Sequence, residues 1–391
     1  MKRHCLFFIL LLNCVLLFSE DKFSITHGPY LCNPTETGVS VVWTTNRPAL
    51  SWVEIAPDDD THFYACQRSK YYSTKSGRKL ATKTLHHVRL ENLEPGTTYR
   101  YRVLSTEVTE WNNKANIQYG RTVDTDVYRG EPLRLKTLKR DFNEMTFLVL
   151  NDIHSKASFM RDLCRSVDFK SLDLIVLNGD MSSYIENEEM IFSGYMDSIV
   201  SMGASETPIV YTRGNHETRG VYADELINYF PSKIGEFYQY FKSGNVGFLI
   251  LDCGEDKPDT DHAYRGLADY DAYRAEQASW LKEVNKTREF IEPKVRIVFC
   301  HMPLVGTAKK IWHGNGNLQQ TLLPVLNDSK INLMFSGHNH EYSYHLPEPG
   351  KINFPTLVND NETYVLCKVK DRRISVEVVG LKGVLYSFDI Q

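Results

Sequence analysis

Arg213-Gly214-Asn215-His216-Glu217 follows the short apolar run Pro208-Ile209-Val210-Tyr211, and that junction decides how the rest of the chain is read. The run favours a buried strand, so the five residues after it form the turn leaving the strand's carboxyl end. Alone they say little, because Gly-Asn is ordinary turn chemistry and a neighbouring histidine is commonly polar surface. Together, Asn and His offer a carbonyl oxygen to a metal ion and an imidazole that exchanges a proton near neutral pH. Four other strands end in the same manner.

From Glu144 onward the sequence alternates between strands and helices. Met145 to Leu150 reads as a buried strand, and Phe159, Leu163 and Val167 lie on one helical face. Further strands are expected at residues 174–177, 209–211, 246–251, 295–299 and 331–335, with an amphipathic helix around Trp280, Leu281 and Val284. Continuous apolar strands separated by helices call for a sheet covered on both faces. The β-rich end (Tyr364 to Leu366, Ile374 to Val379, Val384 to Phe388) predicts a second sheet packed on the first.

The residues just past these strands carry the chemistry. They read Asn151-Asp152-Ile153-His154, Asn178-Gly179-Asp180, Gly214-Asn215-His216-Glu217, Cys300-His301-Met302-Pro303 and Ser336-Gly337-His338-Asn339-His340. Loops at the carboxyl edge of an open α/β sheet converge on one crevice. Asp180 alone would be read as a turn or helix cap, and His301 alone as a satisfied core histidine. Five such endings on one edge make a cage of carboxylate, imidazole and amide. Its ligands include no thiolate, which excludes a purely structural thiolate zinc site. The stoichiometry suits two cations: Asp152, His154 and His340 on the first, Asn215, His301 and His338 on the second, with Asp180 bridging. Two cations about 3.5–4 Å apart stabilise both the attacking and leaving oxygens of a phosphoryl displacement.

The remainder of the chain frames this site. At 391 residues it is long for one core. A net charge of -4 gives no reason to expect a nucleic-acid-binding surface. Lys2-Arg3-His4 followed by the apolar stretch Leu6 to Phe18 has the order of a secretory signal, assigned to residues 1–19, and no transmembrane span is expected in the mature chain. Residues 22–138 read as a small all-β sandwich, with Leu90, Leu93 and Tyr99 anchoring a corner around Pro95-Gly96. His86-His87 lies mid-strand, so its side chains point to opposite faces and share no metal. Six cysteines follow the signal; a Cys32–Cys66 bridge is one of 15 pairings that six cysteines permit.

The blocks Asp152-Ile153-His154, Gly179-Asp180, Gly214-Asn215-His216-Glu217, His301 and Gly337-His338-Asn339-His340, in this order, resemble the signature of the calcineurin-like metallophosphoesterases. More narrowly, Gly28-Pro29-Tyr30-Leu31 through Val42-Trp43, and His86 through Tyr99, are similar to the fibronectin-III-like N-terminal domain of the purple acid phosphatases. The resemblance implies an α/β (α+β type) fold: residues 144–391 as a β-sandwich flanked by helices, the metallophosphoesterase αββα core, preceded by the small β domain. It implies an exported hydrolase acting on phosphomonoesters by attack of a metal-bridging hydroxide, with His216 assisting the leaving group. It also implies two divalent or trivalent metal ions (iron, zinc or manganese), a small phosphorylated substrate contacted by Asn215 and His216, and Glu217 orienting a ligand. Arg213 and His313 are weaker candidates for substrate contact, His313 from a Gly/Asn-rich loop. Tyr342 and Tyr344 either line the pocket or pack. Two departures stand out. Position 154 is His where purple acid phosphatases carry Gly, and the tyrosine that binds ferric iron there is one place late, at Tyr184. His154 is therefore expected to replace the tyrosinate, leaving a colourless or weakly coloured enzyme. A phosphodiesterase or nucleotide hydrolase with the same site, and a non-catalytic, metal-stabilised binding protein, are the competing readings.

Overall fold

The computed structural model describes residues 22–112, 116–141, 144–305 and 311–391. The expected signal at residues 1–19 lies outside them. Among the described residues, no helix is long and apolar enough to cross a membrane.

The fold is mixed α/β, and its centre is two sheets packed face to face. In the first, the strand Glu144–Leu150 pairs in parallel with Leu174–Asn178, which pairs in parallel with Ile209–Thr212. In the second, Val246–Leu251, Val295–Cys300 and Leu333–Ser336 are likewise parallel. The strands alternate which face they bury. Phe147, Val149, Leu174, Val176 and Val210 point toward Phe248, Ile250, Ile297, Phe299 and Phe335 of the facing sheet. Phe147 stands nearly edge-on to Phe248, Phe299 and Phe335, with ring centres 5.8, 5.9 and 6.0 Å away. Such edge-to-face pairs add about 0.5–1.5 kcal/mol each beyond the area they bury.

Helices cover the outer faces, giving the αββα layering. Ala157–Leu163 and the helical stretch from Glu188 to Ala204 pack on the first sheet through Met160, Leu163, Ile191, Phe192, Tyr195 and Ile199. Tyr270–Val284 and His313–Thr321 cover the second through Ala278, Leu281 and Leu318. The antiparallel strands Thr363–Lys370, Arg373–Gly380 and Gly383–Ile390 extend the first sheet instead of founding a second one. The partner sheet is built from the middle of the chain, and Gln239–Ser243, which carries only one strongly apolar side chain, is its edge.

The N-terminal segment is a β-sandwich around Leu31, Val41, Trp43, Val53, Val88, Leu90, Tyr101, Val103 and Leu135, with Leu93 and Tyr99 at the expected corner. One of its sheets does not stop at a domain edge. Ile25–Thr35 pairs in parallel with Ile209–Thr212 through Cys32 and Ile209, so the first sheet runs on through Gly38–Thr45 to Leu85–Leu90. Tyr30 Oη donates to the Tyr229 carbonyl at 2.7 Å, and Tyr101 Oη to the Ser205 carbonyl at 2.6 Å. The sandwich is thereby fixed to the same strand that presents Asn215 and His216.

All six described cysteines are free. Cys32 points into the core beside Ile209 while Cys66 is exposed, so the expected bridge between them does not form. His86 and His87 turn to opposite faces, His86 bonding Thr45 Oγ1 at 2.7 Å and His87 bonding Ser40 Oγ at 2.9 Å.

Candidate metal centre

Five strands from the two sheets end on the same edge, and their loops are stitched to one another. Asp152 N–H donates to the Gly179 carbonyl at 3.0 Å, and His154 N–H to the Asp180 carbonyl at 2.9 Å. Gly337 N–H donates to the His301 carbonyl, also at 2.9 Å. Asn178 Nδ2 reaches from the first sheet to the Phe335 carbonyl of the second at 3.4 Å. Side chains 188 residues apart in sequence (Asp152 and His340) are thus held 3.1 Å apart.

The backbone itself is unusual here. Asp152, His154, Asp180, His338 and His340 all have positive φ, between 49° and 71°. This left-handed region is sparsely used by non-glycine residues, and strain of this kind persists where surrounding structure over-determines it. Gly179, at φ 85°, turns the chain under the His301 ring, and a Cβ added there would lie 2.5 Å from it. Only glycine fits.

Each carboxylate is split in function. Asp152 Oδ2 accepts from Asn151 Nδ2 at 2.8 Å and from His338 N–H at 2.9 Å. Its Oδ1 is left facing His340 at 3.1 Å, with His154 and His301 each at 3.8 Å. Asp180 Oδ1 accepts from His216 N–H at 2.9 Å. Its Oδ2 faces His301 Nε2 at 3.0 Å, with His154 and His216 each at 4.0 Å. His338 Nδ1 meets Asn215 Oδ1 at 2.9 Å.

The imidazoles are oriented from behind. His301 Nδ1 donates to the Asn178 carbonyl at 2.8 Å, and His216 Nδ1 to the Ser183 carbonyl at 2.9 Å. A carbonyl only accepts, so Nδ1 carries the proton in both and Nε2 is the atom presented to the centre. Glu217, fully buried, accepts from Asp180 N–H and Gly214 N–H with one oxygen and from Ser182 N–H with the other, all at 2.9 Å.

The electrostatics are those of a cage built for positive charge. Burial pushes the Asp180 and Asp152 carboxyls up, but the His301 imidazole and further hydrogen bonds outweigh it, and both end below the usual carboxylate range. Burial would likewise push His301 down, yet Asp180 and Asp152 together raise it to about 10. Burial lowers His338 to about 4, and it is also the main cause of the downward shift of His154. Burial raises Glu217 to about 7.

Three overlapping groups have ligand atoms within 4.8 Å of one another: Asp152, His154 and His340; His154, Asp180 and His216; Asp180, His301 and His338. Asp180 belongs to two of them. Asn215 Nδ2 is buried without a hydrogen-bond partner, and His301 Nε2, although 3.0 Å from Asp180 Oδ2, makes no hydrogen bond of good geometry. Two buried carboxylates, imidazoles aimed at them and an imidazole nitrogen without a well-formed hydrogen bond fit a pair of cations with mixed oxygen and nitrogen ligands.

Not every expected residue comes to this place. Arg213 turns away: its Nη2 pairs with the buried Asp252 at 2.7 Å and its guanidinium lies 4.5 Å from the centre of the Phe237 ring. Its charge is spent on a buried carboxylate, so substrate contact by Arg213 is withdrawn. His313 opens the helix His313–Thr321 instead of riding a loop, and its Nε2 is bonded to Asp271 at 2.8 Å. The glycines and asparagines around it suggested a loop, but Leu318 and Leu322 bury against the second sheet and carry the helix. Tyr342 stacks on Tyr386 at 3.9 Å and Tyr344 packs at 4.5 Å on Phe388, so both are packing residues. Tyr184 is 46% exposed, while Ser183 carries the contacts to His154 and His216.

One neighbour was not anticipated. Arg219 Nη1 lies 3.2 Å from both ring nitrogens of His216. The signal was its spacing, because His216–Thr218 is a single 3₁₀ turn and residues three apart in such a turn come together.

Fold and centre together define a two-layered β-sandwich hydrolase scaffold with a dinuclear-type ligand cage. Residues 145–342, more than half of the chain, match the calcineurin-like phosphoesterase family, and residues 29–118 match the purple acid phosphatase N-terminal domain. The chain belongs to the calcineurin-like phosphoesterases, a family of phosphoester hydrolases whose membership implies a dimetal centre. Purple acid phosphatase 18 of Arabidopsis thaliana is 24% identical over 337 residues, covering 83% of this chain and 67% of the relative. Purple acid phosphatase 22 of the same plant is 24% identical over 292 residues, covering 71% of this chain and 56% of the relative. The chain thus spans little more than half to two thirds of these relatives' lengths. Among solved structures, a dimetal phosphatase from Danio rerio superposes with a TM-score of 0.47 at 14% identity, covering 64% of this chain and 99% of that one.

Proposed function

We propose that this chain is an exported phosphatase that hydrolyses small phosphomonoesters with two metal ions held by Asp152, His154, Asp180, Asn215, His301, His338 and His340. The observation that carries the reading is two ligand groups, Asp152–His154–His340 and Asp180–His301–His338, joined by the closeness of His154 to Asp180, with His216 Nε2 4.0 Å from Asp180 Oδ2. Two cations in such a cage supply charge stabilisation to the transferring phosphoryl group and activation of a water near neutral pH. The protein's own side chains do the rest. Asp152 and Asp180 each tie one oxygen to the backbone, which fixes the other in the cage and spares reorganisation during the reaction. His301 and His216 keep their tautomers through Asn178 and Ser183. His216 Nε2 is then the atom that holds a proton for the leaving oxygen.

Export rests on Lys2-Arg3-His4 and the apolar stretch that follows, with their order of charge and hydrophobicity. Iron, zinc and manganese all suit the ligand set. The test is turnover of p-nitrophenyl phosphate beside its bis ester by the metal-loaded chain, with and without chelator. Chelator-sensitive hydrolysis of the monoester in preference to the diester supports the proposal. Turnover of neither ester with metals bound defeats it.

A further inference from the structure

Arg219 places its charge against His216, and its fork is already half committed. Nε donates to Glu255 Oε2 at 2.8 Å, and Nη2 donates to Glu255 Oε1 at 2.7 Å and to Asp256 Oδ1 at 3.3 Å. Nη1 directs one N–H at the His216 ring, 3.2 Å away. Four of the five guanidinium N–H groups are therefore placed, and the remaining Nη1–H sits on the His216 side of the fork. Glu255 is itself anchored: fully buried, it accepts from Asp256 N–H at 2.8 Å and from Thr218 Oγ1 at 3.3 Å. Lys257 Nζ reaches the same carboxylate only through Oε1, at 3.4 Å, so swinging the guanidinium away would cost Glu255 its two-pronged partner, which is unfavourable in a buried setting.

We infer that Arg219, locked by Glu255, is a phosphate-oxygen clamp that gives the site its preference for monoesters. The inference rests on the phosphatase reading above. A phosphomonoester dianion carries three non-bridging oxygens, whereas in a diester one of the three is esterified and no longer anionic. A fixed guanidinium N–H beside His216 rewards that third anionic oxygen, and an arginine held in a fork is suited to the task. The bland alternative is that the Arg219–Glu255 pair is only a brace for the His216 turn. The two differ in what happens to phosphate.

The decisive measurement uses the metal-loaded full chain and inorganic phosphate. For Arg219→Ala, calorimetry is expected to show phosphate binding weakened about 10–100-fold, the size of one charge-assisted hydrogen bond. Arg219→Lys, which keeps the charge opposite Glu255, is expected to weaken it less, and it serves if the alanine variant does not fold. On p-nitrophenyl phosphate the loss is expected mainly in KM, with the bis ester changed less than about 3-fold, so that the monoester preference shrinks. Metal content and Tm distinguish a brace, which would shift them while leaving phosphate affinity per folded molecule intact. Phosphate affinity unchanged in Arg219→Ala overturns the inference, as does a parallel loss on both esters. Should the wild-type chain turn over neither ester, the phosphatase reading fails by itself, and phosphate binding to wild type and variants still decides the role of Arg219.

Discussion

Glu217 holds Asp180 from underneath: its carboxylate accepts the Asp180 N–H at 2.9 Å, while the neighbouring His216 N–H is given to Asp180 Oδ1 at the same distance. The side chain that centres the cage is thus gripped through its backbone by the residue next to His216. Glu217→Gln replaces one of the two accepting oxygens with an N–H₂, so at least one of the three backbone donors that point at this side chain meets another donor. A buried donor left without an acceptor costs about 1–3 kcal/mol, and loss of a group orienting a ligand typically costs 10–100-fold in metal affinity. The variant is therefore expected to melt several degrees lower and to bind metal 10–100-fold more weakly. Thermal melts and metal titration check both, and an unchanged metal affinity would show that Asp180 does not need this grip.

Removal of metal should be felt by the whole fold, because both sheets contribute ligands. A cation present at 100 times its Kd stabilises the folded state by about 2.7 kcal/mol. For a folding unit the size of residues 144–391, about 2–4 °C of Tm accompanies each kcal/mol. Chelation followed by dialysis is expected to lower Tm by about 5–10 °C, and refilling with zinc, manganese or iron to restore it. A Tm indifferent to chelator would mean that the cage holds no tightly bound ion.

Colour is a separate test. Ser183 is the residue of this turn that touches His154 and His216, and Tyr184 is 46% exposed. The iron-loaded chain is expected to lack the strong visible band of a tyrosinate–iron bond, and Tyr184→Phe to leave spectrum and turnover unchanged. A visible band lost in Tyr184→Phe would reinstate the tyrosine as a ligand and displace His154 from that role.

Legibility followed the strength of the physical signal. The runs around Phe147, Val176, Val210 and Phe299 were readable as strands because a sheet buried on both faces demands uninterrupted apolar residues, and their ends then pointed to the cage. Gln239–Ser243 was not readable, since an edge strand needs no such run. The helix His313–Thr321 was hidden by Gly314, Asn315, Gly316 and Asn317, which are poor helix formers that tertiary packing overrides. The junction of Cys32 with Ile209 was invisible because one pair of long-range partners leaves no mark on either sequence. Arg213 and Arg219 illustrate the limit at the site. Both flank the Asn-His pair, and only three-dimensional pairing with Asp252 or Glu255 tells which guanidinium faces it.

That distinction is testable on Arg213. Its pairing with Asp252, among the rings of Phe237, Tyr270 and Tyr273, is a buried charge pair. Breaking such a pair from one side costs about 3–5 kcal/mol. Arg213→Ala is expected to lower Tm sharply, by about 6–20 °C at 2–4 °C per kcal/mol, while the folded fraction binds inorganic phosphate as wild type does. Weakened phosphate binding at unchanged Tm would return Arg213 to the substrate.

Acid should loosen the N-terminal sandwich through His86. Burial alone lowers this imidazole to about 3, and its Nε2 is bonded to Thr45 Oγ1 at 2.7 Å beside the Trp43 ring. A histidine whose folded-state value lies below the unfolded one, near 6.5, imposes no cost above that pH. As pH falls from 6.5 toward 3, the unfolded chain takes up the proton and the folded chain does not, so stability is progressively lost. By pH 5 the loss from this one residue is about 2 kcal/mol. His86→Gln, which keeps a polar partner for Thr45 and cannot charge, is expected to lose about 2 kcal/mol less than wild type between pH 7.5 and pH 5 in denaturant melts. An equal loss in both proteins would mean that the imidazole is already protonated in the fold at pH 5, or that it becomes solvated there before unfolding.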